Sequence, residues 1–499
     1  MHWTTSKITR TFVFSVLATF ISLVCATPGM TSPADVRVLV DVSGSMKNAD
    51  PKAVRGPATA LLAALLPDRS KGGIWLFGSD VRELVPYGPV DARWDALGKP
   101  IEASIGSTDR FTHMESAIKT GIRAGEQKVS GICHVILITD GIVDVKGGKD
   151  ASSISRDRII KSVLPEASER NCRIHTIALS DQADLPLLRQ MALETDGLFT
   201  LLDRPGDLIP VMLDALELAL RSQQLPIRDQ QINIDPDIRQ VRVIRLGSES
   251  EIELKTDSKV VNSTSENTGV VYYKGTGYQT LIWSNPASGR YTLTSDLGPT
   301  DRILIDSDVR LELTELPPTI SSDQTLGLSA SVRNKSGQIT ALSREFRVAF
   351  GNSVDPVRSK GNELSMQIDS PTIGRSILTV QSFDEKYERQ IQRAFEVLKT
   401  QPALEIATDS PKGVGQVASI VKPKAQADDS RVKPKAQAAD NRVKTFEGQT
   451  LLPEIVKEQL PEDISNWPLW QLAVSALAAI GVVALVVGLV LRPKHHLPD

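Results

Sequence analysis

The most informative stretch of this chain is residues 36–45, which read Val36-Arg37-Val38-Leu39-Val40-Asp41-Val42-Ser43-Gly44-Ser45. The first five residues predict a short apolar strand, and one carboxylate and two hydroxyls follow it directly. In an open parallel sheet, ligands bind beyond the carboxyl ends of the strands. Oxygen donors of this kind suit Mg²⁺, Mn²⁺ or Ca²⁺ rather than soft metals. The stretch therefore predicts a divalent-cation site at the end of a strand.

A second acidic residue stands in a matching position. Asp140 ends the near-continuous apolar run 132–139 and is followed by Gly141. An apolar run of this kind is typical of a strand that is buried on both faces. If the two strands are neighbours, Asp41 and Asp140 face one centre.

Strand and helix patterns alternate outward from these motifs, across residues 33–222. We expect further strands over 74–77, 174–179 and 198–202, and helices over 53–66, 113–126, 154–170, 185–194 and 207–220. Such alternation favours an α/β fold, a doubly wound and mostly parallel sheet with helices on both faces.

These motifs resemble the von Willebrand factor A (vWA) domain and its metal-ion-dependent adhesion site. That family has the pattern Asp-x-Ser-x-Ser, then a distant threonine, then an aspartate in a Thr-Asp-Gly-like turn. Here Asp41, Ser43 and Ser45 match the first element, and Thr139-Asp140-Gly141 matches the last. The resemblance covers about residues 35–220.

The distant threonine has two candidates. Thr112 stands directly before an expected helix, as the family pattern requires, but Arg110 and Phe111 precede it where the family usually has small residues. Thr108, in Gly106-Ser107-Thr108, has the more similar local sequence but lies farther from the helix. We favour Thr112, and the choice stays open at the level of sequence.

The resemblance also implies a role for each residue. Ser43 and Ser45 would coordinate the ion directly, and Thr112 would join them in the ligand-bound state. Asp41 and Asp140 would act largely through bound waters. The remaining coordination position would take an acidic side chain from a protein partner, since neutral hydroxyls leave the cation's charge incompletely balanced.

Two cysteines remain if a signal segment containing Cys25 is removed. Cys133 lies seven residues before Asp140, and Cys172 lies seven residues before Leu179, the end of its own strand. The family's sheet places these strands side by side, so a disulfide is feasible. Two buried free thiols fit the sequence equally well.

The rest of the chain has a different character. Short alternating stretches and turn signals predict a β-rich module over 223–305 and a β-sandwich-like module over 306–400. Residues 401–466 form a low-complexity linker, in which residues 421–431 are nearly repeated as 432–442. The prolines of this repeat favour a semi-extended tether.

The two termini predict the location of the protein. Residues 1–26 resemble a secretory signal with Lys7 and Arg10 before an apolar stretch, and we expect cleavage after Ala26. Residues 469–491 carry no charge and are long enough for one transmembrane helix. The basic residues of the tail 492–499 predict that it is cytoplasmic. We therefore expect a single-pass protein of the inner (cytoplasmic) membrane, with its body in the periplasm or outside the cell.

Several function classes are excluded or disfavoured. A formal net charge of −3 argues against a nucleic-acid binder. No HExxH, nucleophile elbow or P-loop is present, no small-molecule substrate is evident, and we expect no enzymatic activity. The sequence predicts protein–protein interaction or adhesion through the metal. The alternatives are an assembly factor with a static metal site, or a regulatory subunit similar to calcium-channel accessory proteins, within an envelope membrane complex.

Overall fold

A computed structural model describes residues 33–125, 131–265, 269–294, 297–340, 344–351, 357–369 and 371–399. The predicted signal segment, linker, transmembrane segment and tail lie outside these residues. Within the described ranges, no helix is long and apolar enough to cross a membrane.

The N-terminal half of the described chain alternates strands and helices. Its strands are β1 (Asp35–Asp41), β2 (Lys71–Phe77), β3 (Val81–Pro89), β4 (Cys133–Thr139), β5 (Cys172–Ala178) and β6 (Phe199–Leu201). Its helices are α1 (Met46–Ala49), α2 (Arg55–Leu65), α3 (Gly98–Ser104), α4 (Met114–Arg123), α5 (Gly148–Arg158), α6 (Leu164–Glu169), α7 (Leu185–Glu194) and α8 (Leu208–Leu220). A π-helical turn, Ile159–Val163, joins α5 to α6.

The six strands form one sheet in the order β3-β2-β1-β4-β5-β6. All neighbours are parallel except β3, which pairs antiparallel with β2 at the edge. This confirms the expected α/β domain with a mostly parallel sheet. The edge strand β3 was not among the expected strands, and α5 begins at Gly148 rather than at residue 154.

The burial of the central strands explains why the sheet is parallel and covered. Every residue of β1 and β4 is buried. Leu39 and Leu137 belong to an apolar cluster with residues of α4, α6 and α7. The intervening side chains, such as Val38 and Val40, point to the other face and are also buried. Parallel pairing brings the carboxyl ends of β1 and β4 together at one edge of the sheet.

The two cysteines stand opposite each other at the start of β4 and β5. Cys133 and Cys172 are partners in the strand register, and they form a disulfide. Both are buried. The structure thus selects the disulfide over the pair of free thiols that the sequence also allowed.

The C-terminal half of the described chain is built of strands. They are β7 (Gln223–Gln224), β8 (Gln231–Ile234), β9 (Ile238–Leu246), β10 (Leu254–Lys255), β11 (Val260–Val261), β12 (Val270–Gly275), β13 (Tyr278–Ser284), β14 (Gly289–Leu293), β15 (Arg302–Ser307), β16 (Arg310–Leu313), β17 (Thr319–Ser321), β18 (Leu326–Arg333), β19 (Arg344–Phe350), β20 (Val357–Gly361), β21 (Glu363–Ile368), β22 (Gly374–Phe383) and β23 (Glu388–Leu398).

These strands surround two apolar clusters but share one large sheet. One cluster includes Trp283 and Tyr291, and the other includes Phe346 and Phe395. A ten-stranded sheet runs β12-β13-β9-β15-β7-β23-β22-β19-β20, with β17 pairing parallel to β23. Smaller sheets, β11-β10-β14-β8 and β16-β18-β21, complete the β-rich part. The expected module boundaries remain a prediction.

Candidate metal centre

Asp41 is the last residue of β1 and its side chain is fully buried. Its Oδ1 accepts a hydrogen bond from the Ser43 backbone N–H at 2.8 Å, and its Oδ2 accepts one from Thr139 Oγ1 at 2.6 Å. Burial raises the pKa of Asp41 to about 6, with a smaller upward contribution from Asp140, although the Thr139 and Ser43 hydrogen bonds oppose the shift. The carboxylate is held in one orientation at an electrostatic cost.

A chain of hydrogen bonds connects the two serines to the second aspartate. The hydroxyls of Ser43 and Ser45 lie 3.0 Å apart, and Ser45 Oγ donates to Asp140 Oδ1 at 2.8 Å. Ser43 is buried whereas Ser45 is exposed, so the cluster opens to solvent on the Ser45 side. Burial also raises the pKa of Asp140, against the effect of the Ser45 hydrogen bond. The structure therefore brings Asp41, Ser43, Ser45 and Asp140 together.

Thr112 completes this group, and Gly141 leaves room for it. A Cβ placed on Gly141 would lie 3.3 Å from Thr112 Oγ1 and 3.8 Å from Asp41 Oδ2. The threonine hydroxyl and the aspartate carboxylate thus border the same small space. The Thr108 hydroxyl instead donates to Asp109 Oδ1 at 3.0 Å and lies on the surface. The geometry favours Thr112 over Thr108.

Sequence reasoning missed the residues that support the site. The motif Thr139-Asp140-Gly141 assigns no role to Thr139, yet its hydroxyl fixes Asp41 and accepts a hydrogen bond from the Gly141 backbone N–H at 3.2 Å. A fully buried ion pair, Arg55 with Asp50 at 2.7 Å, lies beneath the loop. Arg55 also donates to the Gly106 carbonyl at 2.7 Å. A lone arginine near the start of an expected helix gave no signal of this role.

Arg110 stands two residues before Thr112, and its cation would neutralise the site if it reached Asp41 or Asp140. Its guanidinium instead lies over the Phe111 ring, 5.3 Å from the centroid, and its side chain is exposed. The ordered contact is with its own neighbour in sequence.

The donor set fits a hard divalent cation. It consists of two carboxylates and three hydroxyls, all oxygen, without imidazole or thiolate. Within the described residues, no group of three or more His, Cys, Asp or Glu side chains is placed to hold a metal, so any cation here needs the hydroxyls. Asp41 and Asp140 are neighbouring acids with raised pKa values. A divalent cation between them would stabilise the ionised form of both.

Comparison with known proteins agrees with this architecture. The family model for the von Willebrand factor type A domain matches residues 35–208, and no curated protein matches the chain. Among solved structures, the chain is similar to von Willebrand factor type A from Catenulispora acidiphila, at 12% identity and a TM-score of 0.32, with 73% of this chain and 67% of that chain covered.

Two further solved structures are similar at the same level. BatB from Bacteroides thetaiotaomicron has 15% identity and a TM-score of 0.30, with 38% of this chain and 100% of that chain covered. Proximal thread matrix protein 1 from the mussel byssus, with a zinc-occupied MIDAS motif, has 16% identity and a TM-score of 0.30, with 40% and 50% covered. Residues 35–208, which contain all six strands of the first sheet, are a von Willebrand factor type A domain.

Proposed function

We propose that this chain is a membrane-anchored, extracytoplasmic vWA protein. Its vWA domain binds Mg²⁺, or Mn²⁺ or Ca²⁺, and through that ion an acidic group on a protein partner. The observation that carries the proposal is the continuous contact Asp41–Ser43–Ser45–Asp140, with Thr112 beside it at the solvent-facing edge of the sheet.

The proposed roles follow from the charge and burial of each residue. Ser43, Ser45 and Thr112 supply neutral hydroxyl oxygens to the ion. Asp41 and Asp140 contribute largely through waters and keep the ion in place by charge. Because the hydroxyls do not balance the ion's charge, an external carboxylate is a favourable additional ligand. The chain's own residues bind and orient, and the proposal includes no catalytic step.

The proposed location rests on the terminal segments. Residues 1–26 direct export, the apolar segment 469–491 anchors the chain in the inner membrane, and the tail 492–499 stays in the cytoplasm. The β-rich part and the linker then hold the vWA domain away from the membrane. A mature N terminus at Thr27, found by mass spectrometry, supports cleavage after Ala26, and an intact N terminus contradicts it.

The test of function uses the full-length protein in detergent. We expect Mg²⁺ to raise its thermal unfolding temperature, and partner capture from envelope extracts to be lost in chelator. The double variant Asp41→Ala, Ser43→Ala should lose both effects. The matched control is Asp257→Ala, Ser258→Ala, since both residues are exposed in a turn of the β-rich part.

The outcomes separate the proposal from its main alternative. If the site variant keeps full partner capture, and chelator changes nothing, metal-dependent binding is wrong. Co-purification that is insensitive to chelator but includes other membrane proteins favours the assembly factor or regulatory subunit with a static metal.

A further inference from the structure

A cavity of about 550 Å³ lies beside the metal centre. Its apolar walls come from three segments: Phe111 before α4, Val145 after the Asp140 turn, and Ala151 and Ile154 on α5. Small-ligand sites in proteins typically measure about 300–1,000 Å³. The cavity therefore has room for a large side chain.

A backbone bridge separates this cavity from the metal centre. The Thr112 N–H donates to the Asp144 carbonyl at 2.8 Å, and the Asp144 N–H donates to the Thr112 carbonyl at 3.2 Å. Thr112 presents its hydroxyl beside Asp41 and Gly141, while its sequence neighbours Phe111 and His113 line the cavity. The two sites therefore meet at one residue, and a single bound segment can reach both.

Two large apolar side chains near the bridge are exposed. Ile154 at the cavity is 52% exposed, and Ile142, two residues after Asp140, is 58% exposed. Exposed apolar side chains grouped at a binding site are typical of a surface that a partner covers.

The charges around the cavity restrict the partner further. The carboxylate of Glu115 is already engaged, by Lys119 at 2.6 Å and by Ser155 at 2.8 Å. Arg158 also faces the Glu115 carboxylate at 3.9 Å, and the exposed Lys146 and Asp80 at the cavity carry opposite charges. The rim therefore does not favour a run of acidic residues. The proposed cation is therefore the group that binds a carboxylate of the partner, and the cavity accommodates an apolar side chain.

We propose that this cavity is a specificity pocket for the partner of the metal centre. The partner segment is extended, places one acidic side chain on the ion, and inserts a large apolar side chain from one or two residues away. Side chains of an extended chain alternate between two faces and advance about 3.3 Å per residue, so the distance between the two sites determines which of these spacings binds. The inference rests on the proposed function, because the ion holds the acidic side chain.

The probe is a set of synthetic peptides with one central Asp in a Gly/Ser background. In each peptide, one position that lies one or two residues before or after the Asp carries Leu, Phe, Ala or Ser. Binding to the full-length protein is measured in Mg²⁺ and in chelator. We expect the best Leu or Phe peptide to bind about 10-fold or more tightly than its Ala counterpart, in Mg²⁺ only.

Variants separate the pocket from the ion site. Ile154→Glu should remove the preference for Leu over Ala while leaving weaker, Mg²⁺-dependent binding of the Asp peptides. Because Ile154 is half exposed, this change does not disturb the core. The matched control Ile373→Glu, at a residue 57% exposed in the β-rich part, should change neither property. Ser43→Ala should abolish both.

Each result decides between the two ideas. Equal binding of Leu and Ala peptides in Mg²⁺, or a preference that survives Ile154→Glu, overturns the pocket and leaves the proposed function standing. Binding that chelator and Ser43→Ala do not change overturns the proposed function, and with it the two-point contact. Failure of every peptide to bind also overturns the pocket.

Discussion

Asp41 shows most directly the electrostatic cost of the proposed metal centre. Its carboxylate is fully buried, and burial raises its pKa from 3.8 to about 6. A raised folded-state pKa means that ionising the group destabilises the fold. Without metal, this cost is complete above about pH 6 and disappears as the pH falls below about 4. At neutral pH it amounts to about 3 kcal/mol.

Asp41→Asn should therefore stabilise the metal-free protein at pH 7.5 by about 2–3 kcal/mol, while it abolishes stabilisation by Mg²⁺. The amide preserves an acceptor for the Ser43 N–H and presents its NH₂ to Thr139 Oγ1. Urea unfolding in chelator at pH 7.5 and at pH 4 measures the difference. The gain should nearly vanish at pH 4, and an equal gain at both pH values contradicts the argument.

Gly197 is required by a close approach of two backbones. A Cβ at this position would lie 1.9 Å from the Ile174 carbonyl oxygen and 2.5 Å from its carbon. Gly197→Ala must therefore displace β5 or the turn after α7, at a cost of about 3 kcal/mol. Urea unfolding measures the loss. Gly98→Ala is the control, since its Cβ would meet nothing within 4 Å, and a similar loss there disproves the steric explanation.

Individual residues of the site were predictable because the signal was local. Asp41, Ser43 and Ser45 follow a strand directly, and Asp140 follows the neighbouring strand, so chain topology alone brings them together. The choice between Thr112 and Thr108 was not local, since it depends on the path of the loop between α3 and α4. The cavity beside Thr112 was equally hidden, because its walls come from segments that are distant in sequence.

At the scale of elements, a buried histidine pair joins β4 to β5. His134 Nδ1 lies 2.9 Å from His175 Nε2, and the Leu198 N–H donates to His175 Nδ1 at 3.1 Å. The latter bond assigns the His175 proton to Nε2, so His175 donates to His134 and both rings are neutral. Burial lowers the pKa of both histidines, that of His175 to about 3, and the positive charge of Arg173 acts in the same direction.

This pair should make the fold sensitive to acid. For His175, the lowered pKa contributes stability that is present above about pH 6.5 and is lost as the pH falls toward 3, by about 1.4 kcal/mol per pH unit. The lowered pKa of His134 acts in the same direction. His175→Asn keeps an acceptor for the Leu198 N–H but does not titrate. Urea unfolding between pH 7 and pH 4.5 should show a shallower loss in this variant, and an unchanged slope rules the pair out as the cause.

Elements with a strong apolar sequence pattern were predictable, and features that depend on pairing with a neighbouring strand were not. The apolar strands β1 and β4 were evident, because strands buried on both faces read as continuous apolar runs. The edge strand β3 was missed, since it is only partly buried and its sequence contains Pro86, Gly88 and Pro89. The disulfide required the register of β4 against β5, which the sequence limits but does not determine.

At the scale of the whole molecule, the two-residue strand β7 connects the two β modules that the sequence predicts as separate, residues 223–305 and 306–400. Gln223 and Gln224 pair with β15, and Gln224 also stands opposite Gln390 of β23. One sheet therefore continues from one apolar cluster to the other. Nothing in a Gln-Gln dipeptide predicts this position, because the pairing is set by strands about 80 and 170 residues away.

A buried charge cluster joins helix α8 to the β-rich part. Arg302 of β15 contacts Glu217 at 3.2 Å and Asp214 at 3.5 Å on α8, and Arg375 of β22 also pairs with Asp214. Arg302, Asp214 and Glu217 are all less than 10% exposed. Burial raises the pKa of both acids and the arginines oppose that shift, so the junction depends on each charge having its partner.

Arg302→Gln should therefore destabilise the protein by about 3–5 kcal/mol, because it leaves Glu217 buried without its arginine. The double variant Arg302→Met, Glu217→Leu should recover most of this loss, since replacing a buried ion pair by apolar groups is often close to neutral. Calorimetry of the full-length protein measures both. Arg239→Gln is the control, since its ion pairs with Asp306 and Asp308 are partly exposed and should contribute less than about 1 kcal/mol. If Arg302→Gln costs no more than Arg239→Gln, the charge cluster does not hold α8 against the β-rich part.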